Sequence, residues 1–188
     1  NGSYKLKRGV GLKGNSLTTI TCAGYMGNTL VCGTFKGTLV LFSGTSVSKV
    51  LKGHNGTVNA IHIRENSNQK NQGFITGGND SMVCYWDSKF NIVNKINIID
   101  LNINSLNPKI RSLCENQKGT ILLGTRAGEV IEIPKNEDAI VHIRGHFDKE
   151  LWAMSVCPKK DKFYTAGEDN LLAVWDIKTR MIEKVKIL

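Results

Sequence analysis

Short runs of alternating apolar and polar residues, separated by glycine, asparagine and serine, follow one another along most of the chain. Alternation with a period of two is typical of β-strands, whereas an amphipathic helix repeats its apolar positions every three to four residues. Four prominent runs each have an apolar run before them and a β-rich run after them, which predicts four short strands per unit and an all-β fold. These four runs are LVCGTFKGTLVLF (30–42), FITGGNDSMVCYW (74–86), ILLGTRAGEVIEI (121–133) and FYTAGEDNLLAVW (163–175).

The unit repeats with a period of about 45 residues. The glycines predicted to match, Gly33, Gly78, Gly124 and Gly167, are 45, 46 and 43 residues apart. A fixed period of this size marks an architecture in which each unit buries its apolar face against its neighbours. The pattern predicts a lead-in segment and four blades, at approximately 1–16, 17–52, 53–100, 101–144 and 145–188.

Two of the four units carry a more specific signature. Gly53-His54 is followed by Trp86-Asp87, and Gly145-His146 is followed by Trp175-Asp176. This order resembles the WD40 family, whose repeats fold as four-stranded blades of a β-propeller. The resemblance implies a buried hydrogen-bonded tetrad in each of these two blades, formed by His54, Thr76, Asp80 and Trp86 and by His146, Thr165, Asp169 and Trp175.

A histidine near an aspartate and a threonine could also indicate a catalytic relay. Two copies in equivalent units favour structure instead, because the Asp fixes the His tautomer and the Thr hydroxyl accepts from the Trp N–H. The other two units lack the tetrad, and the glycine alignment places Phe35 and Arg126 where the Asp should be. The sequence therefore predicts alternating regular and degenerate blades within a larger or oligomer-completed propeller.

Charge is distributed unevenly along the chain. Lys and Arg number 25 against 16 acidic residues, yet residues 1–64 contain eight basic residues and no acidic one. A field of one sign attracts acidic partners, although it can also serve only for solubility. Asn59 and Trp152, each the second residue of an innermost strand, are further candidates at the propeller rim, with packing along the channel as the alternative. The predicted partner-binding set is Lys5, Lys7, Arg8, Lys13, Lys36, Lys49, Lys52, Asn59 and Trp152.

Other chemical signatures are weak. Gly9 to Gly14 matches a dinucleotide-binding glycine pattern, but a strand pattern follows it and no acidic residue occurs before Glu65. The five cysteines include no CxxC pair, and no apolar run approaches the length of a membrane span. We therefore predict a cytoplasmic, non-enzymatic protein without a metal or cofactor. Nucleic acid is disfavoured as a partner because few aromatic residues interleave with the basic ones.

Longer stretches resemble the echinoderm microtubule-associated protein-like family. They include KRGVG (7–11), KGHNGTVNAI (52–61), PKIRSLCENQKGTILLGT (108–125) and RGHFDKELWAMSVCPKKDKFYTAGED (144–169). The resemblance implies a non-catalytic propeller scaffold that binds microtubules or soluble tubulin at a cytoskeletal location. A scaffold for another protein complex, and nucleic-acid binding through residues 1–64, are the alternatives. Because four blades are fewer than the usual seven, we expect a piece of a longer protein that pairs with itself or packs on further blades.

Overall fold

The computed structural model describes residues 19–64 and 73–188, which form four antiparallel sheets of four consecutive strands each. The predicted all-β architecture is thus confirmed, and we number the sheets blades 1 to 4 in chain order. Blade 1 contains β1 (Ile20–Met26), β2 (Thr29–Thr34), β3 (Thr38–Ser43) and β4 (Ser46–Lys52), and blade 2 contains β5 (Val58–Ile63), β6 (Phe74–Gly78), β7 (Met82–Trp86) and β8 (Ile92–Asn97). Blade 3 contains β9 (Ile110–Glu115), β10 (Ile121–Thr125), β11 (Val130–Ile133) and β12 (Ile140–Ile143), and blade 4 contains β13 (Leu151–Val156), β14 (Lys162–Gly167), β15 (Leu171–Asp176) and β16 (Ile182–Ile187).

Burial changes across each sheet and explains the sequence pattern. In blade 2 the second strand, β6, is buried at every position, whereas the fourth strand, β8, is half-buried or exposed. β-Branched and aromatic residues fill the buried strands because they pack well on a pleated surface. Between blades 2 and 3 the chain forms one short 3-10 helix, Ile98–Leu101, whose Ile98 joins the core.

The turn between the second and third strands is the same in all four blades. Its last residue has a positive φ in each blade, and its N–H donates to the carbonyl three residues earlier. Glycine, serine or asparagine occupies this position because the left-handed conformation disfavours bulkier residues. The four residues are Gly37, Ser81, Gly128 and Asn170, with φ of 84°, 63°, 71° and 59°.

The turns and strand pairings correct the predicted repeat alignment by one residue in blades 1 and 3. The residues equivalent to Gly78 and Gly167 are Thr34 and Thr125, because each precedes the positive-φ residue by three positions. Two positions further on, Lys36 and Ala127 stand where the regular blades have Asp. The alignment that placed Phe35 and Arg126 there was wrong, because it matched glycines of different structural roles.

The apolar core lies between adjacent blades. One hydrophobic cluster joins blades 1 and 2, and a second joins blades 2 and 3. Glycines allow the close approach: a Cβ added at Gly33 would lie 2.8 Å from Val58 Cγ1, and one at Gly77 would lie 2.6 Å from Ile110 Cγ2. Each interface therefore places the first strand of one blade against a glycine of the preceding blade.

Buried tetrads and a candidate interaction face

The structure brings His54, Thr76, Asp80 and Trp86 together inside blade 2. His54 Nδ1 lies 2.8 Å from Asp80 Oδ1, and His54 Nε2 lies 2.8 Å from Thr76 Oγ1. Trp86 Nε1 donates to the same hydroxyl at 3.0 Å, and its ring stacks on Phe74 with 5.5 Å between centroids. Asp80 also accepts from the Asn55 N–H, so the tetrad ties the blade entrance to three strands.

Blade 4 contains the same arrangement. His146 Nδ1 lies 2.9 Å from the Asp169 carboxylate, and Nε2 lies 2.8 Å from Thr165 Oγ1. Trp175 Nε1 donates to Thr165 Oγ1 at 2.6 Å and stacks on Phe163. Two matching networks in equivalent blades have the geometry of a structural element rather than of a single catalytic centre.

The residue before each aspartate turn makes room for the tetrad. A Cβ added at Gly78 would lie 2.6 Å from His54 Nδ1 and 2.8 Å from Asp80 Oδ1. Blades 1 and 3 have threonine at this position and no His–Asp pair. Thr34 Oγ1 instead lies 2.8 Å from Thr38 Oγ1, and Thr125 Oγ1 donates to Glu129 at 2.8 Å.

Glu129 is the centre of a buried polar network that sequence reasoning missed. Its side chain is fully buried, accepts from Arg144 Nε at 3.0 Å and is hydrogen-bonded to Ser105. The network links β11, the end of β12 and the connection that precedes blade 3. A buried carboxylate with an arginine partner stabilises position more than it signals chemistry. The available signal was a lone acidic residue at the start of an otherwise apolar strand.

The tetrad carboxylate controls the ionisation of its histidine. Burial by itself lowers the pKa of His54, but the hydrogen bond to Asp80 opposes it, and the pKa rises to about 9. Burial by itself raises the pKa of Asp80, but the hydrogen bonds from His54 and from the Asn55 N–H hold it below its ordinary value. The His54 side chain has no exposed surface, so this charge pair cannot contact a partner.

One end of the sheets carries two exposed positions in each blade. The first strand of every blade has a β-bulge, and a corner residue after the second strand donates its N–H to the carbonyl two residues before the bulge. Asn59 Nδ2 donates to Asn79 Oδ1 at 2.8 Å, which shows that bulge and corner residues are neighbours. We call these residues the corner face: Thr21, Asn59, Arg111 and Trp152 at the bulges, and Phe35, Asn79, Arg126 and Glu168 at the corners.

The predicted partner-binding residues fall in several places. Lys36 is exposed beside Phe35 in the same turn, Lys52 is exposed at the end of β4, and Lys49 is exposed along β4. Asn59 is half-buried and donates to the Ile110 carbonyl, whereas Trp152 is 69% exposed. The remaining four, Lys5, Lys7, Arg8 and Lys13, lie outside the described residues.

Sequence reasoning missed three residues of the corner face. Phe35 was interpreted as a blade residue but is 63% exposed, and Arg111 and Arg126 are exposed as well. The two arginines lie in a segment of nearly balanced charge, so counting charge along the chain concealed them. Their repeat positions, which match Asn59 and Asn79, were the signal that could have found them.

The corner face offers arginine, lysine, phenylalanine and tryptophan side chains to a partner. Residues 19–64 and 73–188 contain no group of three His, Cys, Asp or Glu side chains that could hold a metal ion. Within the same ranges, no helix is long and apolar enough to cross a membrane. Its chemistry suits recognition of a protein surface, because tryptophan and arginine are enriched among interface residues.

The blades and tetrads define a WD40-type β-propeller chain. A family model, "WD domain, G-beta repeat", matches residues 45–87 and 138–176, which contain all eight tetrad residues. Solved propellers share the fold. The WD40 β-propeller domain of Doa1 has a TM-score of 0.50 at 15% identity, covering 90% of this chain and 53% of that one. The β-propeller domain of Cps50 (Swd1) from Myceliophteria thermophila has a TM-score of 0.52 at 13% identity, covering 93% of this chain and 56% of that one.

Curated relatives include several microtubule-associated proteins. Human echinoderm microtubule-associated protein-like 4 is 24% identical over 99% of this chain and 20% of its own length. The ciliary WD repeat-containing protein ctxp80 of Euplotoides octocarinatus is 28% identical over 95% of this chain and 23% of its own length. Human DDB1- and CUL4-associated factor 5 is 28% identical over 92% of this chain and 18% of its own length. The chain thus spans about a fifth of the curated relatives it matches, and WD40 repeats with these relatives support a protein-interaction role.

Proposed function

We propose that the chain is a non-enzymatic interaction scaffold that associates with microtubules or soluble tubulin in the cytoplasm. The corner face carries this proposal, because it combines exposed basic and aromatic side chains on rigid blades. Phe35 with Lys36 and Arg111 with Arg126 supply two basic positions on different blades. The tetrads, by contrast, are buried and serve to hold the blades.

An acidic protein segment is the partner that suits this face. Arginine binds carboxylates through two parallel hydrogen bonds, and aromatic neighbours add apolar contact and cation–π attraction. The relatives named as microtubule-associated and ciliary proteins support tubulin, whose acidic tails have the required charge. The basic residues of the first 64 positions add to the same attraction.

A scaffold for another protein complex is the second candidate. The similarity to human DDB1- and CUL4-associated factor 5 over 92% of the chain favours it, because this relative's name refers to association with other proteins. In that case the corner face binds a different protein and the charge of the first 64 residues serves solubility.

Co-sedimentation tests the proposal. The chain is mixed with microtubules whose acidic tails are intact or removed by protease, at about 0.1 M salt, where screening extends over roughly 10 Å. Gel filtration with soluble tubulin runs in parallel. We expect binding that depends on the tails, weakens with added salt and is reduced by Lys36→Glu and Arg126→Glu.

Lys118→Glu is the matched control, because Lys118 is exposed in the turn at the opposite end of blade 3. It changes net charge as much as Arg126→Glu but leaves the corner face intact. Absence of binding to microtubules and to tubulin contradicts the proposal and favours the second candidate. Stronger binding to duplex or single-stranded nucleic acid in competition contradicts both.

A further inference from the structure

Blade 4 presents an uncovered apolar side on its first strand. Met154 is 71% exposed, and Leu151 and Val156 are also exposed. The strand pairings make these three residues equivalent to Val58, Ile61 and Ile63 of blade 2. Both core clusters in the described part of the chain consist of residues from blades 1 to 3.

The equivalent side of blade 2 packs on the preceding blade. A Cβ added at Gly33 would lie 2.8 Å from Val58 Cγ1, and one at Gly24 would lie 3.0 Å from Ile63 Cγ1 and 3.4 Å from Ile61 Cγ2. This side of a first strand therefore faces the blade that comes before it in the chain. For blade 4, that neighbour is blade 3.

Blade 3 has a matching uncovered side. Leu122 is 42% exposed, whereas Val31, its equivalent in blade 1, is fully buried. Around Gly124, an added Cβ would meet within 4 Å only Ser112 Oγ and the Glu129 carbonyl, both in blade 3 itself. The two uncovered sides are thus the two halves of an interface of the kind that joins the other blades.

The halves also match in volume and reach. Cys114 of blade 3 is equivalent to Gly24, and Val156 of blade 4 is equivalent to Ile63. The larger residue on one side thus meets a smaller one on the other. Six residues separate Gly145 from Leu151, against five from Gly53 to Val58, so the connection is long enough for docking within one chain.

We propose that blade 4 docks on blade 3 of the same chain, and that docking completes a binding site for an acidic peptide segment. Bulge residues supply the geometry. Thr21 Oγ1 donates to the Val58 carbonyl, and Asn59 Nδ2 donates to the Ile110 carbonyl, so each bulge residue reaches the next blade's first strand just before its bulge. By the same geometry, docking brings Arg111 to the Leu151 carbonyl, beside Trp152.

The completed site contains two guanidinium groups and an indole ring. Arg111 and Arg126 belong to the bulge and corner of blade 3, and Trp152 comes from blade 4. Arginine pairs with carboxylates in a fixed fork, and the tryptophan face covers the apolar part of a glutamate or stacks on arginine. This site deepens the proposed function and rests on it for the acidic nature of the partner.

Cys114 reports docking in the unmodified chain. Docking covers this exposed thiol with Met154 and Val156, so a thiol reagent labels it slowly, with the labelled site identified by mass spectrometry. The double variant Met154→Glu/Val156→Glu separates the blades and raises the labelling rate on the order of tenfold, as expected for exposure by local opening. Ser155→Glu is the matched control, because residue 155 alternates to the other side of β13 and leaves the rate unchanged.

Equal labelling rates in the unmodified chain and the double variant overturn the proposal. Slow labelling that speeds up on dilution shows a second copy on blade 3 and also overturns docking within one chain. Ser112→Cys/Leu151→Cys in a Cys114→Ser background is an independent measurement should the charged variant fail to fold. A disulfide within one chain supports docking, and its absence, or a crosslinked dimer, contradicts it.

Binding of a fluorescent glutamate-rich peptide tests the completed site. Arg111→Ala and Trp152→Ala each weaken binding roughly five- to tenfold, within the range of interface hot spots. Met154→Glu/Val156→Glu weakens it similarly although all three site residues remain, while Lys118→Ala has no effect. Unchanged affinity in the double variant overturns the inference and leaves the proposed function standing. Absence of binding by the unmodified chain contradicts the proposed function, while Cys114 labelling still measures docking.

Discussion

At the scale of single residues, the tetrads show how one charged pair is kept in an apolar blade. His54 is buried with a carboxylate, a hydroxyl and an indole N–H around it, so every polar atom has a partner. An unsatisfied buried polar group costs more than a hydrogen bond contributes, which explains why the four residue types occur together. The glycine at position 78 belongs to the same unit, because a side chain there would collide with His54.

Asp80→Ala is expected to lower the free energy of unfolding by about 1–3 kcal/mol, because it leaves the His54 ring and the Asn55 N–H without their acceptor. Urea denaturation measures the change. Asp138→Ala, at an exposed position in blade 3, is the control and should have little effect. An unchanged unfolding midpoint for Asp80→Ala contradicts the structural role of the tetrad.

The same pair gives stability a characteristic pH dependence. The pKa of His54 rises from 6.5 to about 9 on folding, so its contribution is complete below pH 6.5 and is lost as the pH rises towards 9. The pKa of Asp80 falls below 3.8, so its contribution is present above that pH and is lost as the pH drops. Blade 2 should be most stable between these limits. In Asp80→Ala the decline above pH 6.5 should disappear, as urea titrations across the pH range can show.

At the scale of elements, the degenerate blades replace the tetrad with other polar contacts. Blade 1 uses two threonine hydroxyls at the turn, and blade 3 uses Glu129 with Thr125, Ser105 and Arg144. In all four blades the turn geometry is retained, because the positive-φ residue and its hydrogen bond are the same. The fold therefore depends on satisfying polar groups near this turn rather than on one set of residues.

Removing the carboxylate of Glu129 should be more costly than removing Asp80. Glu129→Ala leaves Arg144 with a half-buried, uncompensated charge, and losing one partner of a buried ion pair costs about 3–5 kcal/mol. Glu129→Gln should cost less, because the amide still accepts hydrogen bonds. The control is Glu132→Gln, whose partner His142 is exposed, and such pairs contribute less than about 1 kcal/mol. Urea denaturation with equal losses for Glu129→Ala and Glu132→Gln contradicts this role.

At the scale of the whole molecule, the blades leave apolar surface at the ends of the array. Blade 1 exposes Tyr25 and Ile20 on its first strand, and docking of blade 4 on blade 3 leaves the outer side of blade 4 open. Contiguous exposed apolar surface and open strand edges favour association. An array of stacked blades is therefore expected to bury its ends against further blades.

We expect the chain to self-associate through these ends at tens of micromolar. Light scattering should show an apparent mass that rises above 20.7 kDa with concentration, and Tyr25→Lys should reduce the rise. Cys114 labelling should stay independent of concentration, because blade 4 covers it within each chain. A stable monomer over the whole concentration range contradicts end-to-end pairing.

Much of the architecture could be predicted from the sequence because it depends on local pattern. Alternation of apolar residues predicted strands, and the glycine period predicted four-stranded repeats, which the sheets confirm. The one-residue error in blades 1 and 3 arose because a glycine needed for packing between blades, Gly33 or Gly124, looks the same in sequence as one needed beside a histidine. Only the strand pairing distinguishes the two roles.

The sequence by itself determined the fold class and the repeat period, because both follow from which residues must be buried and at what spacing. Tertiary structure alone decided the corner face, the Glu129 network and the uncovered sides of blades 3 and 4. These features depend on which side chains meet across paired strands and between neighbouring sheets. Arg111 and Trp152, for example, are 41 residues apart in the chain and become candidates for one site only through the equivalent bulges of their blades.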